Sequence, residues 1–241
     1  MDLTMPLPEL VAGSVDGQTA VLRAIERMTD QQYAEPSRLP GWSRAHVVAH
    51  LVGNTLAQTR QVEYARDGQQ IEVYTGGQQA RDADIERRSG LPAQMLTDEL
   101  RDAHQAWAAA VEPVDDRLAA EPVAYRDGTV TDVIAGRWME SLVHGVDLGL
   151  PWFGTQSWTP QFCAVLLDYL LVRLPADQQV RLKATDADLD LTLGNGPAVH
   201  LRGRLVDLTA SLADRGPVDV LDSLAEPIGQ LGPYPRGSLP R

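Results

Sequence analysis

Gly41-Trp42-Ser43-Arg44-Ala45-His46-Val47-Val48-Ala49-His50-Leu51 and Arg137-Trp138-Met139-Glu140-Ser141-Leu142-Val143-His144-Gly145-Val146-Asp147-Leu148 are the two stretches on which the fold turns. Both carry apolar residues at helical spacing and read as amphipathic helix. Residues three and four apart on a helix share a face. His46 therefore neighbours His50, and Glu140 neighbours His144. The stripe through His50 continues with Gly53, Asn54 and Ala57, small or polar residues that leave room beside the imidazole. The stripe through Glu140 holds Gly136, Arg137, His144 and Asp147. If the two faces meet, His50, Glu140 and His144 offer two imidazoles and a carboxylate, a donor set suited to Zn²⁺ or another first-row divalent ion. Three protein ligands leave a position open, the pattern of catalytic sites. Helical bundles build such sites from side chains on facing helices. Spacing alone leaves plainer readings open. Glu–His pairs four apart are common on solvated helix faces, and His46 with His50 can serve packing alone.

Outward from these stretches, the first 150 residues read as helices joined by loops. Val11, Val15, Val21, Leu22 and Ile25 mark a helix over residues 10–28. Pro36 and Pro40-Gly41 mark a connection. Ser43 is the expected N-cap of a helix that runs to about Asp67-Gly68. Residues 69–90 are polar and contain Gly76-Gly77. They read as a long loop holding a short helix near 80–88, and long loops in compact domains are often functional. A third helix opens at Leu91-Pro92 and ends near Glu112-Pro113. A fourth, capped by Thr129 or Thr131, ends near Leu150-Pro151. Four helices with two longer connections predict a four-helix bundle. After Trp152 the pattern changes. Thr159-Pro160 starts a helix to about Leu174-Pro175. Residues 180–184, 189–193 and 199–202 alternate as short strands, and Asn195-Gly196 suggests a hairpin between the last two. Residues 205–213 read as helix, closed by Arg215-Gly216-Pro217 and followed by a tail rich in Pro and Gly. The expected fold class is α+β, with a bundle over residues 1–155 and a small C-terminal α/β domain over 156–241.

The chain has 241 residues, 44% apolar and 22% charged, enough for a real core. Its formal net charge of −12 argues against nucleic acid as a partner, because phosphate recognition needs a basic surface. An acidic chain can still bind an acidic small molecule through local arginines or a metal. Cys163 is the single cysteine, so no intrachain disulfide forms and a reducing compartment is expected. Its apolar setting reads as a buried thiol rather than a nucleophile. Asp168 and Arg173 interrupt the longest apolar run, so no membrane span is expected. The N-terminus has no signal-peptide pattern. These features together predict a cytoplasmic monomer. His104 reads as a polar-face helix residue and His200 as a strand residue, neither with an assigned role.

The segment from Gly41-Trp42 to His50 resembles the metal-binding region of the mycothiol-dependent maleylpyruvate isomerase family, part of the DinB-like superfamily of four-helix metalloproteins. So does the spacing of Arg137, Glu140, His144 and Asp147-Leu148. Residues 208–216, ending Ala213-Asp214-Arg215-Gly216, are similar to the family's C-terminal segment with its functional arginine. The three stretches match in order and spacing over nearly the whole chain. The resemblance implies a DinB-like bundle followed by a small second domain. It implies that His50, Glu140 and His144 bind Zn²⁺ or another divalent metal, and that Arg215 reaches the active site as a catalytic and cofactor-binding residue. Asn54 and His46, beside His50, are expected to contribute to the cofactor site, His46 either supporting His50 from behind or lining the cleft. Arg137 and Asp147 match the pattern and are expected to orient the Glu and His ligands. Without the resemblance they read as helix-surface charges, and Arg215 as a cation favoured at a helix C-terminus.

The implied cosubstrate is mycothiol, and the implied partners are a low-molecular-weight thiol and a small electrophile, with no nucleic acid and no membrane. A metal-held thiol is a thiolate, the nucleophilic form. Added to a double bond conjugated with a carbonyl, it leaves a single bond that can rotate. Expulsion of the thiol then gives the trans isomer. Arg215 would hold a carboxylate and stabilise the developing enolate. Two alternatives stay open: a mycothiol S-transferase that keeps the thioether, and a metal- or ligand-binding module without turnover. Specificity is expected in residues 69–90 and in the second domain.

Overall fold

The computed structural model describes residues 5–216 and 228–233. Residues 6–153 form one compact unit, and the described residues from Gly154 onward belong to a second. Most of the tail expected after Arg215-Gly216-Pro217 lies outside the described residues.

The first unit contains α1 (Leu7–Ile25), α2 (Asp30–Ala34), α3 (Arg44–Ala65), α4 (Gly77–Ser89), α5 (Ala93–Val111), α6 (Asp116–Ala119) and α7 (Val130–Asp147). The four long helices α1, α3, α5 and α7 close into a ring. α3 packs on α5 and α7, and α1 packs on α7 and α5. Capping fixes the starts of the two helices that carry the histidines. The Ser43 hydroxyl accepts the His46 N–H at the head of α3. The Asp132 carboxylate accepts from the N–H and the hydroxyl of Thr129 at the head of α7.

α7 is the most deeply buried of the four long helices. Every residue from Gly136 to Asp147 is buried. The Trp138 indole packs onto α1 at Gly13 and Gly17, where a β-carbon at Gly17 would lie 2.7 Å from the ring. α3 also departs from a simple apolar-in pattern, because it buries His50, Asn54, Thr55, Gln58, Thr59 and Gln61. Burying polar groups is costly unless they find partners; Thr55 and Thr59 donate to carbonyls of their own helix, and Gln61 donates to the Ile71 carbonyl.

Residues 69–90 hold more helix than the sequence suggests. α4 runs thirteen residues and packs on α3. Pairs four apart support it, Gln78 with Asp82 at 2.8 Å and Asp84 with Arg88 at 2.7 Å. Ile85 is its one buried residue.

The second unit contains α8 (Pro160–Leu170), β1 (Gln179–Ala184), β2 (Asp190–Leu193), β3 (Ala198–Gly203) and α9 (Leu205–Leu212). The fold class is α+β, as expected. The strand pairing corrects the sequence reading. The sheet order is β2-β1-β3, with β1 antiparallel to β2 and parallel to β3. Val180 stands between Leu193 on one side and Val199 on the other. Asn195-Gly196 therefore forms no hairpin between β2 and β3. Gly194 and Gly196 have φ of 76° and 128°, and a side chain on either would strike the carbonyl of Gln178 or Asp177. The two glycines let the chain cross tightly over the start of β1 to its other edge. α9 packs on β1, β3 and α8. Among the described residues, no helix is long and apolar enough to cross a membrane.

Candidate metal centre

The packing of α3 on α7 brings His50 to Glu140 and His144. His50 Nε2 lies 3.2 Å from Glu140 Oε2, and His144 Nε2 lies 3.4 Å from the same oxygen. The two imidazole rings meet edge to face at 4.6 Å. The three residues are 2%, 3% and 0% exposed, so their donor atoms are withdrawn from bulk solvent. His144 Nδ1 is 2.8 Å from Asp147 Oδ2. With its proton shared there, His144 turns the Nε2 lone pair toward Glu140. That nitrogen has no hydrogen-bond partner among the described residues. A buried nitrogen without a partner, a second imidazole and a carboxylate have ligand atoms within 4.8 Å of one another. This donor set fits a divalent cation.

Electrostatics sharpen the fit. Burial drives the His50 imidazole down to about 4 against the pull of Glu140, so it is neutral at neutral pH, the form that ligates. Burial pushes the Glu140 carboxyl upward, but the His144 and His50 imidazoles outweigh it and hold it well below the usual range. Burial also lowers His144, yet the Asp147 and Glu140 carboxylates win, and its value is raised. A proton on His144 and a metal ion are alternatives for one lone pair.

Arginines crowd the same corner. Arg81 on α4 donates through NH2 to His50 Nδ1 at 3.1 Å and pairs through NH1 with Asp82 at 2.7 Å. Its guanidinium lies 5.7 Å over the Tyr74 ring. The Tyr74 hydroxyl accepts from Asn54 Nδ2 at 3.2 Å, and Asn54 Oδ1 accepts from Arg137 NH1. Arg126 NH2 approaches Glu140 Oε1 at 3.8 Å. Arg126 and Asp127 both adopt left-handed backbone, with φ of 57° and 52°, a conformation that residues with side chains rarely take. A cleft of about 190 Å³ opens beside His50, lined by Asn54, Arg60, Tyr74, Arg81 and Asp84.

Residues 16–149 match the family model of the mycothiol maleylpyruvate isomerase N-terminal domain. The chain belongs to this family. The matched span contains His50, Glu140 and His144 and ends before Arg215. No curated protein sequence matches the chain. Among solved structures, the mycothiol-dependent maleylpyruvate isomerase is similar at a TM-score of 0.76 and 20% identity, over 88% of this chain and 90% of that one. A histidine-to-alanine mutant of a mycothiol-dependent maleylpyruvate isomerase reaches 0.78 at 19% identity, over 96% of each chain. At these identities the likeness speaks for the fold. The colibactin self-resistance protein ClbS, solved with a double-stranded DNA, shares 16% identity at a TM-score of 0.50, over 61% of this chain and 96% of its own.

In this member of the family, the other residues singled out by sequence divide. Asn54 lines the cleft. His46 does not. Its Nδ1 sits 2.7 Å from Ser43 Oγ and its Nε2 3.3 Å from Ser89 Oγ, so the ring closes the α3 cap and ties it to the end of α4. Arg137 and Asp147 are 0% and 2% exposed, which overturns the surface-charge reading of both. Asp147 holds His144, whereas Arg137 reaches Asn54 and Ser141. Arg215 lies in the second unit, in the turn that ends α9. Asp214, at φ 55°, donates its N–H to the Ser211 carbonyl, and the Arg215 N–H donates to the Ala210 carbonyl. Arg215 NH1 also donates to the Ala213 carbonyl at 2.8 Å. His104 bridges α5 to α1 through Thr19 and Gln18, and His200 is exposed on β3. Cys163 is buried, which pushes its thiol up to about 12.

Arg81, Tyr74 and Arg126 stand at the centre without being singled out by sequence. One signal does point to Arg81. It lies four residues before Ile85, the buried anchor of α4, and so on the helix face turned to α3. Arg126 has no such signal, because its approach depends on a left-handed turn that nothing in its side chain announces.

Proposed function

We propose that this chain is a divalent-metal- and mycothiol-dependent enzyme that isomerises a maleylpyruvate-type substrate from cis to trans. The observation that carries the reading is the buried convergence of His50 Nε2, His144 Nε2 and Glu140 Oε2. Family membership suggests the thiol and the substrate class. A zinc or similar ion held there would keep a small thiol as the thiolate. Asp147 orients His144, and Arg126 stands by the second oxygen of Glu140. Arg81 and Arg60 give the cleft local positive charge, which is what an anionic substrate needs in a protein of net charge −12. They can hold carboxylates by charge-assisted hydrogen bonds. Arg215 is assigned a further anion contact on its sequence pattern. The nucleophile comes from outside the protein, because Cys163 is buried and its thiol stays protonated at neutral pH. The acidic charge also supports small molecules over nucleic acid as partners and self-repelling monomers, and the single cysteine fits a reducing cytoplasm.

The test pairs metal analysis with product analysis. Wild type purified without added zinc should carry a divalent metal, and His50→Ala should lose the metal and the activity together. With mycothiol and maleylpyruvate, mass spectrometry should find fumarylpyruvate and regenerated thiol. An accumulating thioether would instead identify an S-transferase. Bound metal with neither product would point to another metal-dependent reaction or to a binding role.

A further inference from the structure

His50 and His144 are prepared differently for the same task. His144 has an acceptor on Nδ1, the Asp147 carboxylate, which leaves its Nε2 lone pair facing inward. His50 has a donor in the corresponding place, Arg81 NH2 at 3.1 Å. A guanidinium has no acceptor atom. His50 Nδ1 must therefore accept, and the ring proton sits on Nε2, donated to Glu140 Oε2 at 3.2 Å. Ligation by a neutral His50 through Nε2 reverses this, because the proton then resides on Nδ1. That N–H would meet the guanidinium N–H head on, and two donors cannot share the contact. Arg81 has somewhere else to go. Its side chain already lines the cleft, its NH1 is held by Asp82, and the Tyr74 ring lies beneath it. Asp82 and the Tyr74 ring hold the side chain at the cleft independently of His50.

We propose that Arg81 is a metal-released clamp for a carboxylate ligand. Without metal it donates to His50. When a divalent ion takes His50 Nε2, the guanidinium turns into the cleft and holds a carboxylate there. The proposal rests on reading His50, Glu140 and His144 as metal ligands. By linkage the coupling is reciprocal: metal strengthens carboxylate binding, and carboxylate strengthens metal binding.

Zinc affinity measured by chelator competition, on wild type and Arg81→Met, tests this. Removing the charge-assisted hydrogen bond that zinc must displace should tighten zinc binding about tenfold. Maleate, used as a dicarboxylate probe, should tighten zinc binding to wild type more than to Arg81→Met. Any direct contact of maleate with the metal is common to both proteins and cancels. A crystal structure of the zinc-loaded wild type should show Arg81 NH2 beyond hydrogen-bond distance of His50 Nδ1. Equal or weaker zinc affinity in Arg81→Met, or Arg81 still on His50 Nδ1 in the loaded wild type, overturns the proposal and leaves the metal reading standing. If neither protein binds zinc, both fall together. Arg81→Gln repeats the affinity measurement should the methionine variant fail to fold.

Discussion

Asp147 governs which ring nitrogen of His144 faces Glu140, through the contact of its Oδ2 with His144 Nδ1 at 2.8 Å. Asp147→Asn keeps the size and an acceptor but removes the charge. It should weaken zinc binding by about 10- to 100-fold, measured by chelator competition, with the helix content unchanged. The three candidate ligands also set the response to pH. The His144 value is raised from 6.5 by its carboxylates, so zinc must displace a proton there. Zinc affinity should fall as pH drops through that raised value, and calorimetry in buffers of different ionisation enthalpy should detect proton release. His50 is lowered from 6.5 to about 4. Its contribution to the stability of the metal-free protein is present above pH 6.5 and is lost as pH falls toward 4. Glu140, also lowered, acts in the same direction below its ordinary 4.5, whereas the raised His144 favours the folded state below 6.5 and loses that effect as pH rises through its folded value. Much of this residue-level chemistry is legible in the sequence. The four-residue spacing of Glu140 and His144 puts them on one face, and a helix keeps that promise locally. The tautomer of His50 is not legible, because it depends on an arginine 31 positions away in sequence.

Among the elements, α7 leaves the least room for change. Gly17 on α1 accepts the Trp138 indole so closely that a β-carbon would lie 2.7 Å from it. Alanine favours a helix interior by about 1 kcal/mol over glycine. At this position the clash should reverse the sign, and Gly17→Ala should lose about 1–3 kcal/mol in urea denaturation. The long helices are visible in sequence because their apolar residues recur at helical spacing. α4 is harder to see, because Ile85 is its one buried residue and periodicity has little to register. The ion pair of Asp84 with Arg88, four residues on, carries the information instead. The Asn195-Gly196 turn misleads for a different reason. A turn signal is local, whereas the place of β3 beside β1 is decided by pairing partners distant in sequence and by the close crossing at Gly194 and Gly196.

On the scale of the whole molecule, a net charge of −12 surrounds a site that gathers Arg81, Arg126 and two histidines. Zinc that binds only the folded chain should stabilise it by mass action. At a hundredfold excess over its dissociation constant this amounts to about 2.7 kcal/mol, a rise in Tm of roughly 5–10 °C for a chain of this size. His50→Ala should show no such rise in differential scanning calorimetry. The family pattern is legible at this scale because its metal-binding segments fall within one matched span, residues 16–149. The burial of α7 has a further consequence. A helix with no outward face from Gly136 to Asp147 has little freedom to vary without cost to the core. α4 faces solvent along most of its length, yet contributes Arg81 and Asp84 to the cleft. On the proposed reading, the candidate ligands Glu140 and His144 thus stand on a different helix from the cleft residues Arg81 and Asp84. A lineage could rewrite α4 for a new electrophile while its ligands stay where they are.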